Sequence, residues 1–152
     1  MMYNDISKQK DLSFFVDVIF NSFIQLSRNK SLLHTKIQIE KNLRSENSVI
    51  ILIMKEKKII GFLTGNITVL DDRRQVFFIS YIYVVENSRN KKIGSTLLQE
   101  AEKIAKQSNC LGMMLIFDTY DKILMYFYET HGYMLDINLR RYERHDVFYK
   151  TL

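Results

Sequence analysis

The stretch that decides the fold is Val84-Val85-Glu86-Asn87-Ser88-Arg89-Asn90-Lys91-Lys92-Ile93-Gly94-Ser95-Thr96-Leu97-Leu98. Upstream of it, Val76 to Val85 is rich in aromatic and β-branched residues and predicts a long strand. Downstream, Ile93, Leu97, Leu98, Ala101, Ile104 and Ala105 recur at helical spacing and predict a helix of about four turns. A buried strand therefore ends in a short basic loop that runs straight into an amphipathic helix. The first N–H groups of a helix have no partner inside it, and the helix dipole favours anions there. A diphosphate suits such a junction. Gly94 lets the backbone approach phosphate oxygens, Ser95 and Thr96 offer hydroxyl donors, and Arg89, Lys91 and Lys92 supply charge. Many junctions of this kind carry Gly and Lys and bind nothing, so the residues alone leave open a phosphate cradle or a solvated basic turn.

Outward from this segment the pattern changes period several times. On the N-terminal side, Val49 to Met54 and Ile59 to Leu70 read as strands joined by the polar link Lys55-Glu56-Lys57-Lys58, which predicts a hairpin. Asp71-Asp72-Arg73-Arg74 reads as the turn into the Val76 strand. Leu12, Phe15, Val16, Ile19, Phe20, Phe23 and Ile24 predict a first helix. A second helix is expected over Ser31–Arg44 with Leu32, Leu33, Ile37 and Ile39 facing inward, and residues 2–7 carry a weak signal for a first strand. On the C-terminal side, Met113 to Phe117 is an apolar strand. Asp121 can cap a helix whose inner face is Ile123, Leu124, Phe127 and Tyr128, and Gly132 stands where helices end in a left-handed residue. Tyr133 to Leu139 and Val147 to Leu152 read as closing strands. The sum is one α/β domain over 1–152, with a mixed, mostly antiparallel sheet whose crossover through the Ile93 helix makes one strand pair parallel.

Composition bounds the function. The 152 residues are 47% hydrophobic and 26% charged, ordinary values for one globular domain. No apolar run approaches the ~20 residues of a membrane span. Asp5, Asp11 and Asp17 interrupt the first thirty residues, so no signal peptide is expected, and the single cysteine, Cys110, fits a reducing cytoplasm. The net charge of +5 is too mild for a dedicated nucleic-acid binder. His34, His131 and His145 show no ligand spacing, so no metal site is expected; His131 reads as the last-turn cation of its helix.

The segment Arg89-Asn90-Lys91-Lys92-Ile93-Gly94, preceded by Ile82-Tyr83-Val84, resembles the acetyl-CoA signature of the GNAT superfamily of N-acetyltransferases. That signature is Arg or Gln, two residues, Gly or Ala, one residue, Gly or Ala, at the start of a helix. Lys92 departs from it at the first small position. A second block is similar to the family as well: Asp121 and Leu124 depart from its usual Asn and Ala, while Phe127-Tyr128 and Gly132-Tyr133 keep its Phe-Tyr and Gly-aromatic pairs. The two blocks stand in the family's order with a strand between them, and the resemblance covers Val49 to Leu152.

The resemblance implies a GNAT-like sheet of about six to seven strands with helices on both faces. It implies acetyl-CoA as co-substrate, no metal, and direct attack of an acceptor amine on the thioester in a ternary complex. In the family the strand before the turn splays from its neighbour and the pantetheine arm lies in the gap. Cofactor contacts are thereby implied for Tyr83, Val84, Arg89, Asn90, Lys91, Lys92, Ile93, Gly94, Ser95, Asp121 and Phe127. A catalytic role is implied for Tyr128, which at helical spacing also reads as a plain core aromatic. A phenol of pKa near 10 gives its proton to a thiolate of pKa near 8.5 uphill by roughly 2 kcal/mol, so a hydrogen bond to the leaving sulfur is the expected contribution. The acceptor must also lose a proton: an amine of pKa ~10.4 is neutral in only about one part in two thousand at neutral pH, a penalty of roughly 4–5 kcal/mol. Ser80 stands where many members carry a glutamate, which points to a base acting through water; Tyr81, Tyr83 and Asp118 lie nearby in this reading.

Three functional classes stay open on the sequence. The first is an N-acetyltransferase acting on a small-molecule or peptide amine. The second is a toxin-type relative acting on aminoacyl-tRNA, and the third a non-catalytic acyl-CoA-binding regulatory domain. A homodimer is implied by resemblance, because the C-terminal strands of the family often pair between subunits.

Overall fold

The β-branched and aromatic runs pair into one seven-stranded sheet. In the computed structural model, which describes residues 2–3, 12–26, 35–45, 47–89, 92–117, 121–136 and 146–152, the elements follow in the order β1 (Met2–Tyr3), α1 (Ser13–Leu26), α2 (Lys36–Leu43), β2 (Ser48–Lys55), β3 (Lys58–Val69), β4 (Gln75–Val84), α3 (Ile93–Gln107), β5 (Gly112–Phe117), α4 (Lys122–Thr130), β6 (Met134–Leu135) and β7 (Asp146–Thr151). The strand order is β1-β2-β3-β4-β5-β7-β6. Only β4 and β5 run parallel, across the α3 crossover.

Side-chain alternation along the strands supplies two faces. On one face Val49 and Ile51 of β2, Leu63 of β3 and Phe77 and Ile79 of β4 pack against Leu97, Leu98, Ala101 and Ala105 of α3 and Tyr128 of α4. On the other, Ile50 and Leu52 of β2 and Phe62 of β3 pack against Leu12, Val16 and Ile19 at α1 and Ile39 and Leu43 of α2. The helices thus lie on both faces of a mixed, mostly antiparallel sheet.

The β2–β3 hairpin turns on two residues. Lys55 pairs with Lys58, and Glu56 and Lys57 take left-handed φ of 51° and 62°. Two consecutive left-handed residues match the twist of the flanking strands, which is why short hairpins use them. The Leu70–Arg74 turn closes by Leu70 N–H to Arg74 O at 2.8 Å, with the Arg74 guanidinium 2.8 Å from Asp72.

Two expected inner-face residues lie outside the core. Ile37 is 79% exposed and Ile123 is 86% exposed. In helices of eight and nine residues the apolar stripe rests on a few positions, and Ile39 with Leu43 in α2, and Leu124, Met125, Phe127 and Tyr128 in α4, are the ones turned inward. Helix α2 is also shorter at its start than expected: Thr35 caps it, accepting from Gln38 N while Gln38 Oε1 accepts from Thr35 N. Leu32, Leu33, His34, Arg140, Arg141 and His145 lie outside the described residues.

Candidate functional site

The site begins where a strand pair comes apart. Strand β4 runs ten residues, yet among the described residues it pairs with β5 only through Val76–Phe78, opposite Gly112–Met114. Beyond that point β5 continues against β7 alone, and β4 continues against β3 alone. A gap therefore opens between the second half of β4 and the end of β5.

A bulge decides which groups face the gap. Thr64 pairs with Tyr81 and Gly65 with Ile79, so Ser80 is the extra residue on β4. Its effect shows in the packing: Ile79, Ile82 and Val84 all turn to the α3 face, while Tyr81 and Tyr83 turn to the α1–α2 face. The Val85 N–H donates to Ile60 O of β3 at 2.9 Å. The Val84 carbonyl, in the same peptide unit, then points the opposite way, and strand alternation gives Ile82 the same orientation. The backbone N–H and C=O of Ile82 and Val84 are thus the ladder groups presented to the gap. Tyr83, implicated by resemblance, spends its own backbone on Phe62 of β3, and its ring lies 5.7 Å from the Phe62 ring. The orientation of Ile82 has no signal in the sequence, because an extra residue reverses the phase of every residue after it and nothing in Ser80 announces a bulge.

At the mouth of the gap a 3-10 turn over Glu86–Ser88 leads to α3. Arg89 folds back: its Nε donates to Val84 O at 3.0 Å and its guanidinium carbon sits 5.9 Å from the centre of the Tyr83 ring. Lys92 is the N-cap of α3 and is left-handed, with φ 61° and ψ 17°. That backbone explains why a small residue is usual at this position, since a side chain there costs about 1–2 kcal/mol. The first α3 bond is Thr96 N–H to Lys92 O at 3.0 Å, so the N–H groups of Ile93, Gly94 and Ser95 precede the helical ladder. The Ile93 side chain packs into the core, so only its backbone can serve a ligand. The Thr96 hydroxyl also turns back on Lys92 O, at 3.0 Å, and is no outward donor. Asn90, Lys91 and Asp118 lie outside the described residues.

Helix α4 packs across this turn. A Cβ on Gly94 would stand 3.3 Å from the Phe127 ring, so the glycine admits the aromatic edge as well as any ligand. Asp121 caps α4, one carboxylate oxygen accepting from Leu124 N at 3.0 Å. His131 bridges the two helices: its Nδ1 lies 2.7 Å from Phe127 O and its Nε2 2.8 Å from Ser95 Oγ. His131, read from the sequence as a last-turn cation, stands at the C-cap of α4 and tethers it to the start of α3.

Tyr128 is 2% exposed, stacked edge-on against Phe127 at 5.2 Å and Tyr133 at 5.4 Å. Its hydroxyl makes no hydrogen bond among the described residues. Burial pushes the phenol well above its ordinary value, so it holds its proton through the neutral range. Beside it, Tyr133 donates to Glu102 at 3.0 Å, and Glu102 also accepts from Lys150 at 3.0 Å, locking α3 to β7. Cys110 is buried, and burial raises its thiol.

The opposite face carries the other residues of interest. Ser80 is exposed at the bulge. Burial pushes the Tyr81 phenol up to about 12. Directly across the bulge, the Thr64 hydroxyl is buried without a hydrogen-bond partner. No helix among the described residues is long and apolar enough to cross a membrane.

Comparison with known proteins reaches the same region. The chain matches the model of the Acetyltransferase (GNAT) family over residues 16–133. No curated protein matches its sequence. An acetyltransferase of the GNAT family from Staphylococcus aureus Mu50 superposes with a TM-score of 0.72 at 18% identity, covering 92% of this chain and 94% of that one. The PaiA N-acetyltransferase of Thermoplasma acidophilum, solved with coenzyme A, gives 0.70 at 19% identity over 94% of each chain. A candidate streptothricin acetyltransferase of Bacillus anthracis, solved with acetyl coenzyme A, gives 0.61 at 21% identity over 74% of this chain; this chain spans 66% of that protein. At such identities the likeness is one of fold.

Proposed function

The chain belongs to the acetyltransferase (GNAT) family, and from that premise we propose that it moves the acetyl group of acetyl-coenzyme A to an amine by direct attack in a ternary complex. The observation that carries the proposal is the gap between β4 and β5, lined by the backbone groups of Ile82 and Val84 that face away from β3, the Val84 carbonyl being held by Arg89, and closed at its mouth by the N-terminus of α3. Extended backbone groups of that kind suit the amides of a pantetheine arm, which can pair with them as a missing strand would. Arg89 must release the Val84 carbonyl for the arm to take it. The N–H groups of Ile93, Gly94 and Ser95, with charge from Arg89, Lys91 and Lys92 and flanking contacts from Asn90, Asp121 and Phe127, hold the pyrophosphate.

The chemistry needs a donor at the leaving sulfur and a sink for the amine proton. Tyr128 supplies the first as a hydrogen bond: with its phenol raised by burial, handing over the proton outright is still less favourable than in water, whereas donating to a developing thiolate in a dry site is favourable. For the second, the bulge offers Ser80 in place of a carboxylate, so the proton leaves through water on the α1–α2 side, past Tyr81.

The test is acceptor-dependent thiol release from acetyl-CoA with a panel of amines, peptides and aminoacyl-tRNAs. Release with one acceptor class, lost in Tyr128→Phe, supports the proposal. Tight acetyl-CoA binding with no release in any arm would place the chain with non-catalytic acyl-CoA binders, and release confined to the tRNA arm would name tRNA as the acceptor. Absence of acetyl-CoA binding would refute the reading entirely.

A further inference from the structure

We propose that His131 sets the direction of the Ser95 hydroxyl, so that cofactor binding takes up a proton on this ring; the inference rests on the reading of the α3 N-terminus as the pyrophosphate site. The Phe127 carbonyl, 2.7 Å from Nδ1, can only accept. Nδ1 therefore carries hydrogen in either charge state, and the charge state changes Nε2 alone. In the neutral ring Nε2 is a bare acceptor, and the Ser95 hydroxyl, 2.8 Å away, donates to it. Ser95 Oγ then turns lone pairs outward, beside the N–H groups that are to receive phosphate oxygens. Once the ring is protonated, Nε2–H donates to Ser95 Oγ and the hydroxyl hydrogen is released toward the ligand. One proton thereby converts Ser95 from a group that repels a phosphate oxygen into one that donates to it, and adds a positive charge one side chain behind.

The surroundings leave this choice to the ring. Its partners among the described residues are Phe127 O, Ser95 Oγ and Thr130 Oγ1, the last 3.3 Å from Nδ1 and itself donating to Phe127 O at 2.8 Å. The charged residues of the packed elements are Lys92 ahead of α3, Glu100, Glu102, Lys103 and Lys106 within it, Lys122 and Glu129 in α4, and Lys150 of β7 beside Gly132, which is committed to Glu102. Imidazole is the side chain whose charge changes between pH 5 and 8. Because the bound state favours the protonated ring, affinity for the pyrophosphate rises as the solution is acidified.

Calorimetric titration of the full chain tests this, using dephospho-CoA, which keeps the pyrophosphate but lacks the 3′-phosphate that itself titrates near pH 6. Between pH 8 and pH 6 the affinity should rise by at least about fivefold, with net proton uptake read from buffers of different ionisation heat. Ser95→Ala should remove most of that slope and His131→Gln should remove it, both variants keeping the parent thermal midpoint within a few degrees. Binding that is flat with pH, or a full slope retained in Ser95→Ala, would overturn the inference while leaving the cofactor site in place. Failure of both CoA and dephospho-CoA to bind at any pH would instead sink the site itself, and the inference with it.

Discussion

The two faces of the sheet are built to different standards. On the α3–α4 face, Phe77, Leu97, Leu98, Ala101, Ala105 and Met113 have no exposure, a glycine admits Phe127, and Tyr133, Glu102 and Lys150 form a closed polar network. On the α1–α2 face the core is smaller. A void of about 10 Å³ lies among Phe15, Ile19, Ile50 and Phe62, Phe14 is exposed, and the Lys36–Asp17 ion pair sits half in solvent. The difference teaches how labour divides under the proposed function. Under that proposal the tight face would hold the cofactor, and the looser one surrounds the bulge at Ser80.

The largest test of that contrast is a matched pair of truncations. Phe77→Ala on the tight face should cost about 4–5 kcal/mol in denaturant unfolding, and Phe62→Ala on the other about 3 kcal/mol, because a site bordering a void and short surface helices can collapse. Equal costs would break the comparison. Next comes Tyr128→Phe: turnover should drop roughly 10- to 100-fold with acetyl-CoA affinity within about twofold, and stability should be unchanged, since the hydroxyl has no partner to lose among the described residues. Burial that raises Tyr128, Tyr133 and Tyr81 has its own sign: the folded state holds these protons more tightly, so the stability they contribute is complete below pH 10 and falls from there upward, as a pH series of thermal midpoints would read. On the loose face, Thr64→Val removes a buried unpartnered hydroxyl and should stabilise by about 1 kcal/mol. A loss of stability instead would mean that the hydroxyl has a water partner. The smallest effect is expected of Lys92→Gly, which relieves a left-handed lysine by about 1 kcal/mol while flattening the salt dependence of CoA affinity, a pair of opposite shifts that a purely structural lysine would not produce.

Legibility in the sequence follows the same division. The α3 junction could be read because strand, loop and helix each announce themselves locally, and because the Phe127-Tyr128 block lies on the element that packs over it. Lys92 concealed its own geometry: a glycine would have signalled the left-handed cap, and a lysine does not. The orientation of Ile82 and Val84 depends on one bulged residue, and the pairing of β7 between β5 and β6 depends on contacts far apart in the chain; neither has a local signature. Ile37 and Ile123 were misplaced because helices of little more than two turns leave the edges of their apolar face poorly defined. The α1–α2 face had no local signature for a physical reason as well, since its features are burial and a Thr64 hydroxyl without a partner among the described residues, which no spacing rule encodes.

The place of β7 bears on how this protein is made. It lies between β5 and β6, both synthesised before it, and it carries every pairing contact of β6 and the whole outer edge of β5. Until residues 146–151 leave the ribosome, the Met113–Ile116 edge is an open apolar template and β6 has nothing to pair with. The growing chain therefore passes through a window in which β1 to β5 can assemble with a sticky edge, and that window is where a chaperone or a misfolded neighbour would meet it.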